Sequence, residues 1–140
     1  MMLDTVATQD KEESVSDSKA KRGVGVIGVP LAYGASMAGV ELGPAALRVA
    51  RLNRRIAQLG YKVRDLGDLD VAEDETTPEA GDKLKHLREI SSACKDLAET
   101  TEEVLTAGDL PLILGGDHSI AIGSISGFAS YCRKQEEQPG

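Results

Sequence analysis

Aromatic residues are scarce in this chain: three Tyr, one Phe and no Trp. That is too few for a platform on which nucleic-acid bases stack. Cysteine is scarce too. Cys94 and Cys132 are the two, and their spacing makes neither a disulfide framework nor a zinc motif. No apolar run approaches the ~18 residues of a membrane span. Positive charge is in deficit, with 16 Lys plus Arg against 23 Asp plus Glu and a net charge of −7. A chain of this sign does not cover phosphates by itself, so neither nucleic acid nor a membrane is an expected partner.

The 140 residues contain 41% hydrophobic side chains, enough for the core of one domain. Residues 1–22 (MMLDTVATQDKEESVSDSKAKR) differ from the rest: they are charged, Ser-rich and without apolar period. They read as a disordered tail. The tail has no apolar core for a secretory signal and too many acids for a mitochondrial leader, so a cytoplasmic location is expected. Residues 23–140 then form the ordered unit.

That unit reads as β-α-β-α-β-α. GVGVIGVP (23–30) is a nearly continuous β-branched run, which suits a parallel strand covered on both faces. A Gly-rich loop (31–43) leads to a helix opened by Pro44. Its stripe is Val49, Leu52, Ile56 and Leu59, and Gly60 stops it. YKVRDL (61–66) is a second strand, followed by an acidic loop. A long helix is expected from Pro78 to Ala107, with His86 on its solvated face. LPLILGG (110–116) is a third strand, and a last helix runs from Ser119 to Cys132 before a polar turn over 133–140. The expected class is α/β, three layers around a parallel sheet.

Ligands collect at the carboxyl ends of parallel strands. Gly23, Gly25 and Gly28 have the spacing of a dinucleotide fingerprint, but they lie inside the first strand, where no loop cradles a phosphate. The second Gly-rich segment, Leu114-Gly115-Gly116-Asp117-His118-Ser119, follows the third strand directly. It carries His118 to the sheet rim. An imidazole there is compatible with a metal ligand, a structural histidine or an acid/base.

LGGDHSIAIGSISG (114–127) resembles the first metal-binding signature of the ureohydrolase superfamily, in its arginase branch. IGVPLAYGASMAGVELGPAALR (27–48) and YKVRDLGDLDV (61–71) resemble arginases as well. The resemblance implies a binuclear manganese centre with His118 as a ligand and Asp117 orienting the loop rather than binding metal; read as a residue alone, Asp117 is equally a turn or cap carboxylate. It implies hydrolysis of L-arginine to L-ornithine and urea, or the related agmatinase- or guanidinobutyrase-like reaction. It also implies a homo-oligomer, trimeric or hexameric. Two departures stand out. Met37-Ala38 occupies the place where many arginases have a basic residue, and Glu41 nearby reads as a surface or interface ion pair. The other ligand motifs of the family, Asp-Ala-His-Thr-Asp and a later Asp-x-Asp, do not occur before Gly140. The chain is therefore expected to be the N-terminal part of such an enzyme. By itself it is expected to be a catalytically inactive fragment or an interaction subunit.

Overall fold

A computed structural model of the chain describes residues 22–72 and 86–137. The expected tail lies outside these residues apart from Arg22, as do the acidic segment 73–85 and residues 138–140. The described elements are β1 (Val24–Val29), a 3-10 turn (Val40–Leu42), α1 (Gly43–Val49), α2 (Leu52–Gln58), β2 (Val63–Asp68), α3 (Leu87–Thr106), β3 (Leu110–Gly115) and α4 (Ile120–Glu136).

The three strands form one parallel sheet in the order β2-β1-β3. β1 is central and all six of its residues are buried, as its unbroken β-branched text requires. One face of the sheet meets α3, where Ile27, Val29 and Leu31 pack with Ala93, Leu97 and Val104. On the other face Val24, Val26 and Leu114 pack with Leu52, Ile56 and Tyr61. This is the expected three-layer α/β arrangement.

α4 packs on α3 rather than on the sheet. Glycine makes the approach possible. A Cβ at Gly123 would lie 2.6 Å from Cys94 O, and one at Gly127 would collide with Ala98 O. Ser130 Oγ donates to Glu102, whose carboxylate also pairs with Lys134. These neighbours hold the Glu102 pKa below its ordinary value.

Several expected boundaries move. The helix expected from Pro44 to Leu59 breaks at Arg51, which takes a left-handed φ of 61°. Val49 is thereby turned out to 83% exposure, so only Leu52 and Ile56 of the expected stripe reach the core. α3 does not run through His86. That residue has φ 60°, and among the described residues the helix begins after it, at Leu87; the expected stretch from Pro78 to Lys85 lies outside the described residues. His86 is half-buried and stacks on Tyr33 with ring centroids 4.6 Å apart, not on a solvated helix face. β2 starts at Val63 and runs on to Asp68. α4 continues through Arg133, Lys134, Gln135 and Glu136, where a polar turn was expected. All four are good helix formers, and Arg133 and Lys134 sit favourably in the last turn.

Candidate functional site

The site is built where β3 ends. Gly116 has φ 87°, a backbone only glycine adopts freely, and a Cβ there would collide with Val29 O. The chain can thus fold back tightly against the end of β1. The Gly115–Gly116 peptide is cis.

Asp117 locks this turn. It is 7% exposed. Its Oδ2 accepts the N–H of Gly34 at 2.7 Å, and its Oδ1 accepts the N–H of Ser119 at 2.7 Å. Its own N–H donates to Leu31 O at 2.7 Å, and Gly116 N–H donates to Val40 O at 3.3 Å. The loop after β1 and the loop after β3 are therefore one hydrogen-bonded unit. The two loops approach closely here: a Cβ at Gly34 would lie 2.5 Å from Ser119 Oγ. A Cβ on Gly43 at the start of α1 would collide with Gly115 O, so α1 presses on the same turn.

His118 projects from this locked turn into solvent and is exposed. It borders an open groove with Ser119, Ala121, Ile122, Ile125 and Ser126. Of the roles open from sequence, a buried structural histidine is excluded by this exposure. Asp117 next to it is the turn carboxylate that the sequence reading allowed. Its bond to Gly34 was not legible, because the two are 83 residues apart. Glu41 accepts the N–H of Gly39 at 2.9 Å, a bond within its own loop. Cys94 lies behind the turn, donating from Sγ to Ser119 O at 3.3 Å, and burial pushes its thiol pKa up. Both cysteines are free.

A second polar cluster, unforeseen from sequence, ties α1 to β2. Arg48 donates from Nε and Nη2 to the two oxygens of Asp65, each at 2.9 Å, and from Nη1 to Asp68. Asn53 Nδ2 also donates to Asp65, at 2.6 Å. The guanidinium beside Asp65, first among these causes, holds that carboxyl well below the usual carboxylate range. Arg48 is raised in turn by its hydrogen bonds to Asp65 and Asp68. The cluster fixes the edge strand and leaves the β3 turn untouched.

Among the described residues no three His, Cys, Asp or Glu side chains lie together so as to hold a metal ion. No helix among them is long and apolar enough to cross a membrane.

Residues 22–137 match the family model for the arginase family. An arginase of Bacillus caldovelox is 40% identical over 109 residues, covering 77% of this chain and 36% of that protein. "Arginase, non-hepatic 1" of Xenopus laevis is 43% identical over 114 residues, covering 81% of this chain and 32% of that protein. The crystal structure of a Bacillus subtilis arginase superposes with a TM-score of 0.72 at 37% identity, over 79% of this chain and 36% of that one. The chain spans about a third of the length of the curated relatives it matches.

Proposed function

From the premise that this chain belongs to the arginase family through residues 22–137, we propose that it contributes the first metal-ligating turn of a manganese-dependent hydrolase. The reaction is the hydrolysis of L-arginine to L-ornithine and urea. One observation carries this reading: His118 stands exposed at the carboxyl end of β3, on a turn locked from below by Asp117. Open α/β sheets place ligands at that end. A neutral imidazole on a rigid backbone is a good ligand, because little order is lost when the ion binds.

The described residues do not themselves fit a two-ion centre. At the β3 turn they offer the imidazole of His118, and no three donors among them lie together, whereas a divalent ion of this kind needs several oxygen and nitrogen ligands. When bound, manganese would supply Lewis-acid polarisation and activation of water. The part of this chain is to hold Nδ1 or Nε2 of His118 in place, through the bonds from Gly34 and Ser119 to Asp117. The remaining ligands, and the groups that choose L-arginine over agmatine or guanidinobutyrate, come from the length of the family that this chain does not span. A cytoplasmic location and a trimeric or hexameric assembly belong to the same proposal.

The 140-residue polypeptide alone is accordingly inactive. With manganese and L-arginine supplied, urea formation by the purified chain should equal that of its His118→Ala variant. Urea above that control would contradict the ligand count.

A further inference from the structure

The loop after β1 grips the β3 turn at two points, and Tyr33 stands between them. Leu31 O accepts the N–H of Asp117 at 2.7 Å, and Gly34 N–H donates to the Asp117 carboxylate at 2.7 Å. Ala35 N–H donates to Ala32 O at 3.0 Å, so residues 32–35 form a tight turn with Tyr33 and Gly34 at its central positions. The N–H that Asp117 accepts belongs to the peptide joining Tyr33 to Gly34. That peptide is a rigid plane attached to the Tyr33 Cα. Where Tyr33 is held therefore decides where this N–H points.

Tyr33 is held from the far side of the loop. Its hydroxyl donates to Ala72 O at 2.6 Å, beyond the end of β2. Its ring stacks on His86, just ahead of α3, with centroids 4.6 Å apart and planes at 23°. The same ring packs against the core cluster of Ile27, Val29 and Leu31. Tyrosine suits this place because it joins a flat apolar body to a hydrogen-bonding tip. One side chain thus ties the loop after β1 to the end of β2 and to the start of α3.

We propose that Tyr33 is a positioning residue for the turn that carries His118. It fixes the plane of the Tyr33–Gly34 peptide, and so the direction of the N–H that Asp117 accepts. Asp117 holds the N–H of Ser119 with its other oxygen, at 2.7 Å. His118 lies between these two residues, so its backbone is fixed on both sides. With Tyr33 released, the Gly34 bond loosens first and the imbalance passes through Asp117 to the imidazole. That the direction of this imidazole matters rests on the reading of His118 as a metal ligand; the tether itself does not.

Hydrogen exchange of the 140-residue chain, read amide by amide without metal, tests the tether. A local opening exposes Gly34 and Ser119 alone, whereas a loss of global stability speeds every protected amide. Tyr33→Leu keeps an apolar side chain but loses the stack and the hydroxyl. It should speed exchange at Gly34 and Ser119 about tenfold, as expected for one hydrogen bond and one ring contact. His86→Asn removes the stacking ring at a left-handed position that asparagine tolerates, and should speed the same two amides about threefold. In both variants the Val26 and Ile27 amides of central β1 should change far less. Tyr33→Phe loses one oxygen and keeps the ring, and its rates should fall between wild type and Tyr33→Leu. Unchanged rates at Gly34 and Ser119 in Tyr33→Leu would overturn the proposal. An equal rise at Val26 and Ile27 would overturn it too, because it marks a tyrosine that only stabilises the fold. If Tyr33→Leu does not fold, Tyr33→Phe decides, and an unchanged Gly34 rate there overturns the proposal. No metal enters these measurements, so an error in the ligand reading would leave the rates as predicted. It would show instead as unchanged metal content when His118 is replaced in the frame of a full-length relative.

Discussion

The carboxylate of Asp117 accepts the backbone N–H of Gly34 at 2.7 Å across 83 residues of sequence. With the bond from Ser119 N–H, it makes one buried side chain the hinge-pin between the loops that follow β1 and β3. The geometry of the candidate ligand His118 rests on that pin.

Asp117→Ala should therefore destabilise the chain more than its small size suggests. Two N–H groups at a part-buried site lose their acceptor, at a cost on the order of 2–4 kcal/mol. Asp117→Asn, which keeps one accepting oxygen, should cost about half. Urea denaturation at neutral pH measures both. A change under ~0.5 kcal/mol for the alanine variant would mean that the loops are held by other contacts.

The contact of α4 with α3 makes a second prediction. Gly127→Ala places a methyl group against Ala98 O, a backbone atom that cannot rotate away. The helices must separate, at a cost of about 1–3 kcal/mol. Ala129→Ser, on the exposed side of the same helix, should change stability by less than ~0.5 kcal/mol. Equal melting temperatures for the two variants would contradict the packing described.

The acid limb of stability should report the Arg48–Asp65 pair. The Asp65 pKa is lowered from an ordinary 3.8 in the folded chain. Its contribution is present above that value and is lost as pH falls below about 4, where the unfolded chain takes up the proton first. The pair is partly exposed, with side chains 24% and 27% accessible, so screening limits the effect to about 1 kcal/mol. Between pH 4 and pH 2, wild type should lose this increment, and Asp65→Asn should not. Parallel curves for the two would remove the pair from the stability account.

Much of this fold was legible because single residue types forced it. The unbroken Val-Gly-Val-Ile-Gly-Val of β1 has no polar face, and the strand is buried along its whole length. The GGDHS turn announced a strand end carrying His118. The missed features are those with no local signal. Arg51 adopts φ 61° in a stretch whose periodicity runs on without a break. His86, which precedes the start of α3 with φ 60°, stacks on Tyr33, a partner 53 residues away in sequence. The Arg48–Asp65–Asp68 cluster joins residues that sequence alone assigns to separate elements. Composition spoke against nucleic acid and membranes, but it said nothing of which carboxylate pins the site.

The most direct measurement uses a chimera in which residues 22–137 replace the matching segment of the Bacillus caldovelox arginase, to which the chain is 40% identical over 109 residues. Manganese content by elemental analysis and urea release from L-arginine are read on the chimera and on its His118→Ala variant. The chimera should bind manganese and release urea. Its variant should lose bound manganese, and activity should fall on the order of 100-fold, because a ligand to the ion is gone. Unchanged manganese content and urea release in the His118→Ala chimera would contradict the assignment of His118 as a metal ligand.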